Sequence, residues 1–76
     1  MYRRIGVSAY SGGRADERPV VIFIDGRAVE VEVVEKWVSE DFNTRRRRRH
    51  FRLLDTSGFE YLVYQDEETS EWFLRV

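Results

Sequence analysis

One stretch, Val20 to Val33, limits what this chain can fold into. Val20-Val21-Ile22-Phe23-Ile24 is β-branched and aromatic, the side-chain types that suit a pleated, half-buried surface. Asp25-Gly26 follows, a pair that tolerates positive φ at both central positions of a type I′ turn. Arg27-Ala28-Val29-Glu30-Val31-Glu32-Val33 then alternates apolar and polar residues with period two. A two-residue turn sets Ile22 opposite Val29 and Val20 opposite Val31, so one face of the hairpin is aliphatic. Its other face carries Val21, Phe23, Glu30 and Glu32. At Val33-Val34 the alternation slips, and Trp37 follows. That predicts a bulge or bend, because one extra residue turns every later side chain to the opposite face.

No segment shows a sustained helical period. His50-Phe51-Arg52-Leu53-Leu54 reads as a third strand that starts inside the run Arg45 to Arg49, after a long loop from Ser39 to Thr44. Asp55-Thr56-Ser57-Gly58 is a turn. Phe59 to Tyr64 is the fourth strand, and Trp72 to Val76 the fifth. A turn centred on Glu68 and Thr69 sets Tyr64 opposite Phe73 and Val63 opposite Leu74. Phe59, Tyr61, Val63, Trp72, Leu74 and Val76 then share a core face. Phe51 and Leu53 join it if Gly58 is left-handed and closes a bulge. Leu62, Tyr64, Phe73 and Arg75 fall on the other face, with Arg48, His50 and Arg52. The expectation is an all-β single domain, a five-stranded antiparallel meander forming an SH3-like partial barrel over residues 18–76. An open five-stranded sheet covered by the N-terminal arm is its alternative. Residues 1–17 read as an N-terminal arm, because Ser11-Gly12-Gly13-Arg14 resembles a flexible linker.

With 76 residues the chain suffices for one domain and a small core. It has no cysteine, which removes disulfides and thiolate zinc sites. A formal net charge of −1 excludes a bulk polyanion binder while allowing a local basic patch. No run reaches the roughly 20 apolar residues of a membrane-spanning helix, and the start is too polar for a signal peptide. The expected compartment is the cytoplasm, with no membrane partner.

The pattern Pro19, Phe23, Gly26-Arg27, Val31, Val34, Trp37, His50-Phe51-Arg52-Leu53, Tyr61, Tyr64, Asp66 and Trp72-Phe73-Leu74 resembles a family of small bacterial β domains of unknown function. Members of that family occur alone or as the C-terminal tail of Y-family DNA-polymerase-like proteins. The resemblance covers residues 18–76 and rests on core-type aromatics and a hairpin glycine, which mark a fold better than an activity. It implies a DNA-processing context and brings no catalytic residues. The run of five arginines departs from the pattern.

Arg45, Arg46, Arg47, Arg48, Arg49 and Arg52 put six positive charges in eight residues, and Arg75 extends the patch. Arginine offers bidentate donors to phosphate, and Tyr64 and Phe73 could stack bases. The competing reading is charge answered nearby. Segment 25–41 holds six acids against two bases, a net of −4, and these could pair with the arginines within one molecule or between two. Tyr64 and Phe73 have a competitor as well: Tyr2, Ile5, Val7 and Tyr10 of the arm could cover them, or a homodimer could use them. Trp37 and Trp72 read as core plugs. His50 has neither an orienting carboxylate nor a nucleophile set beside it by any signature, so no enzyme chemistry, metal or cofactor is expected. Asp66 reads as a cap on its own turn. The functional expectation is a non-enzymatic binding or adaptor module, for nucleic acid or a DNA-processing protein. The alternative is a protein-interaction or self-assembly module using an outer aromatic patch or a sheet edge.

Overall fold

The computed structural model describes residues 1–10 and 17–76. Its strands are β1 (Tyr2–Tyr10), β2 (Arg18–Ile24), β3 (Arg27–Glu40), β4 (Arg47–Asp55), β5 (Glu60–Asp66) and β6 (Trp72–Arg75). Each pairs antiparallel with its neighbour in sequence, and β1 also pairs with β6, so the sheet closes into a six-stranded barrel. The partial barrel of five strands is thereby corrected. The segment expected to be an arm is the closing strand. Ile5, Val7 and Ala9 alternate inward with Gly6 and Ser8 between them, and they pack on the core. The seam runs from Tyr2 opposite Arg75 to Ile5 opposite Trp72. Closure leaves neither β2 nor β6 as a bare edge. The linker reading of 11–14 lies outside the described residues.

Turn chemistry sets the registers. Asp25 (φ 50°) and Gly26 (φ 78°) are both left-handed, as a type I′ turn requires, and Ile22 faces Val29. The pairing of Val20 with Val31 does not form. β2 shifts register against β1 between Pro19 and Val21, and its ladder with β3 ends at Val21–Glu30. The bulge expected near Val34 is present, because the β3–β4 register shifts between Val33 and Glu35. Gly58 (φ 84°) closes the turn after β4, placing Phe51 opposite Val63 and Leu53 opposite Tyr61. In the last hairpin Val63 faces Leu74 and Tyr64 faces Phe73.

The core is Ile22, Phe51, Leu53, Val63, Trp72 and Leu74, with Val29, Val31 and Tyr61 packed against it. Burying a large apolar side chain of this kind contributes about 1.5–3 kcal/mol. Two residues expected on the core face are outside it: Phe59 precedes β5 and is 67% exposed, and Val76 follows β6 and is 62% exposed. Side chains at the ends of barrel strands project past the layer that could cover them. β3 is longer than expected. It continues to Glu40, and only 41–46 form the turn into β4. Asp41 Oδ1 accepts the N–H groups of Asn43 and Thr44 there, an Asx-type turn.

Candidate functional site

The outer face of the barrel carries one unbroken row, one residue per strand. Trp37 of β3 faces His50 of β4, His50 faces Tyr64 of β5, Tyr64 faces Phe73 of β6, and Phe73 faces Arg4 of β1. Directly opposed side chains on a sheet stand close enough to touch, and the rings do. Trp37 and His50 stack in parallel with centroids 5.3 Å apart, and Tyr64 and Phe73 stack at 4.9 Å. His50 and Tyr64 bridge the two stacks at 5.7 Å, tilted.

Tyr64 is not an open platform. It is 7% exposed, because Tyr2 packs edge-on against it at 4.9 Å and the Arg48 guanidinium lies 4.8 Å over its ring. The covering weighed from the sequence thus comes from Tyr2 of β1, while Phe73 stays half-buried. The open ring is Trp37, 43% exposed, which corrects its reading as a core plug. The cause is the bulge at Val34. Past it, Glu35, Trp37 and Ser39 fall on the outer face, where Glu35 meets Arg52 and Ser39 meets Arg48. The slip at Val33-Val34 held this signal in the sequence. Trp72, by contrast, is buried beside Phe51.

His50 is held on two sides by rings, and its Nε2 lies 2.8 Å from Ser39 Oγ. Burial pushes its pKa below the ordinary histidine value, and the nearby Arg48 charge adds to this. Both effects favour the uncharged imidazole between the Trp37 and Tyr64 rings.

The arginines divide into two groups. Arg46 bonds Asp66 Oδ2 at 2.9 Å and lies 3.4 Å from Glu68, Arg47 lies 3.3 Å from Glu67, and Arg52 bridges Glu35 and Glu60, each at 3.1 Å. Arg45, Arg48, Arg49 and Arg75 have no carboxylate partner among the described residues. Arg45 sits in the turn with φ 61°. Arg49 donates to the backbone carbonyl of Glu17 at 3.4 Å, while Gln65 donates to the Glu17 carboxylate at 3.1 Å. Self-pairing was expected from segment 25–41, yet Glu35 is the one acid of that segment paired with these arginines among the described residues. The other partners lie in Glu60–Glu68. β5 runs alongside β4, and its turn stands next to Arg46 and Arg47.

Asp66 fastens that turn. Its Oδ1 accepts the N–H groups of Glu68 and Thr69, as expected of a capping aspartate. Burial alone would raise its pKa, but those two bonds and the charges of Arg46 and Arg48 outweigh it and hold the carboxyl below its ordinary value. Asp55 is built alike at the other end of β4. Burial there is outweighed by the Tyr61 hydroxyl and by the N–H groups of the turn, so its pKa also falls below the ordinary value.

The site is thus a small antiparallel barrel with an aromatic row on its outer wall and, at one end, Arg45, Arg48 and Arg49, which have no carboxylate partner among the described residues. Comparison of the chain with protein-family models, with curated proteins and with solved structures finds no match in any of the three. No helix among the described residues is long and apolar enough to cross a membrane.

Proposed function

We propose that this chain is a non-enzymatic binding module, an SH3-like small barrel that takes single-stranded nucleic acid across its outer face. The observation that carries this reading is Trp37. One face of the indole lies on His50, 43% of the residue is exposed, and Arg48 stands in the adjacent row of the same face. A base stacked on Trp37 would extend an existing stack, Arg45 and Arg48 would meet the phosphates beside it, and Arg49, on the opposite face of β4, would meet the strand where it passes the barrel end. Tyr64 supports the row from beneath, and Phe73 ends it. Arg46, Arg47 and Arg52 hold the scaffold through their acids, and Arg75, opposite Tyr2, extends the positive face. A DNA-processing context, a cytoplasmic setting and kinship with the small bacterial β domains belong to this proposal.

Fluorescence anisotropy with labelled single-stranded and duplex oligonucleotides tests it. Micromolar binding to single strands, lost in Trp37→Ala and in the triple variant Arg45→Ala/Arg48→Ala/Arg49→Ala, is the expected result. Absence of binding at low salt would overturn it. Binding that survives both variants would move the site elsewhere.

A further inference from the structure

We propose that two copies of this chain join edge to edge through β3, antiparallel about a two-fold axis at Val38. Beyond Glu30, β3 has no strand on the side away from β4 among the described residues, because its ladder with β2 ends there. Four of the exposed apolar side chains, Val34, Trp37, Val38 and Phe42, lie on this edge segment or on the turn after it. An edge that is long, apolar and unpaired is a template for another strand.

The backbone parity suits such pairing. The Asp41 N–H donates to the Arg46 carbonyl at 2.9 Å and the Asp41 carbonyl accepts from Arg45 N–H at 2.7 Å, so the peptide groups of Asp41 face the β4 side. Antiparallel alternation then turns the peptide groups of Ser39 and Trp37 towards β4, and those of Lys36, Val38 and Glu40 towards the open side. The Arg47 carbonyl agrees: it points away from β3 and accepts from Glu67 N–H at 3.1 Å.

A two-fold axis perpendicular to the sheet pairs only positions of equal parity, and charge selects among the remaining registers. Centred on Val38, each Lys36 faces the other copy's Glu40, each Trp37 faces Ser39, and Val38 faces itself. Val34 is brought level with Phe42, so Val34, Val38 and Phe42 are covered, while Trp37 lies across from the small Ser39 side chain and keeps room for a ring stacked on it. Centred on Lys36, the two lysines would face each other, and Glu32 would face Glu40. Centred on Trp37, Lys36 would face Val38 and Val34 would face Glu40. The occupant is therefore a second copy in the Val38 register. This axis leaves the aromatic rows of both copies on the same side of a continuous sheet.

Sedimentation velocity from micromolar to millimolar protein is the test, with circular dichroism to confirm folding. The wild-type chain is expected to dimerise. Lys36→Glu sets two like-charge pairs in place of two attractive ones and should weaken the dimer by about tenfold or more. Adding Glu40→Lys should restore it. Val38→Cys supplies the chain's sole cysteine. Hydrogen-bonded partners have Cα atoms about 5.5 Å apart, within reach of a disulfide, so this variant should cross-link on oxidation and the distant Thr56→Cys should not. A chain monomeric at every concentration overturns the proposal, as does a Lys36→Glu variant that dimerises like the wild type. Failure of the charge swap to restore a lost dimer also overturns it.

Discussion

Two aspartates carry more of this small structure than their size suggests. Asp66 is 7% exposed and holds the β5–β6 turn through two backbone N–H groups, while Arg46 and Arg48 neutralise its charge. Asp55 does the same work after β4 with the Tyr61 hydroxyl. Each carboxyl has a lower pKa in the folded chain than its ordinary value of 3.8. The unfolded chain therefore binds protons first as pH falls. Their stabilisation is whole above about pH 4 and is lost as pH drops through the folded values. Urea midpoints at neutral pH and near pH 3 should fall markedly between the two in the wild type. Asp66→Ala should cost about 1–2 kcal/mol at neutral pH, since it removes the acceptor of two turn N–H groups and of Arg46. Its midpoint should then change less with acid than the wild type's. A variant with unchanged acid sensitivity would show that the carboxylate at Asp66 is not the titrating group.

At the scale of elements, β1 decides whether there is a barrel. It brings Ile5, Val7 and Ala9 to the core and occupies the edges of both β2 and β6. A chain starting at Arg18 would expose two strand edges and uncover Ile22 and Trp72. Such a truncation should lose the cooperative thermal transition and bind a hydrophobic dye. A sharp, wild-type-like transition would instead mean that 18–76 folds without its closing strand. This element also marks where the sequence stops being readable. The Asp25-Gly26 turn, the Val34 bulge and the odd turn at Gly58 are local events, written in φ requirements and period-two slips, and they set the registers of β3, β4 and β5. The closing role of β1 is not local. Its alternation is there, with Gly6 and Ser8 between the apolar residues, but its two partners lie elsewhere in the chain and no neighbouring residue names them. Trp37 is legible in the sequence through the slip at Val33-Val34, which turns its face outward, whereas its size alone argues for the core. The acids facing Arg46 and Arg47 depend on the β4–β5 register, so charge counts along the chain pointed to the wrong segment.

Across the whole molecule, some arginines are answered by acids and others are not. The net charge is −1, yet Arg45, Arg48 and Arg49 share one end of the barrel without a carboxylate partner among the described residues, while Arg46, Arg47 and Arg52 are neutralised. Binding strength and its salt dependence should therefore report on different arginines. A single strand that engages the three unpaired arginines releases about 0.7 counterion for each phosphate contacted, so log K should fall against log salt with a slope of about −2. Arg48→Ala should reduce that slope by about 0.7 and weaken binding whatever the base sequence. Arg46→Ala/Arg47→Ala should leave the slope unchanged and lower stability instead, by about 1 kcal/mol, because Arg46 and Arg47 are exposed. Titrations at several salt concentrations, run beside thermal melts of the same variants, separate the two groups. A slope near −4 or steeper would mean that the paired arginines leave their acids when the strand arrives. The acidic β5–β6 turn would then be a competitor for the phosphate site rather than part of its frame.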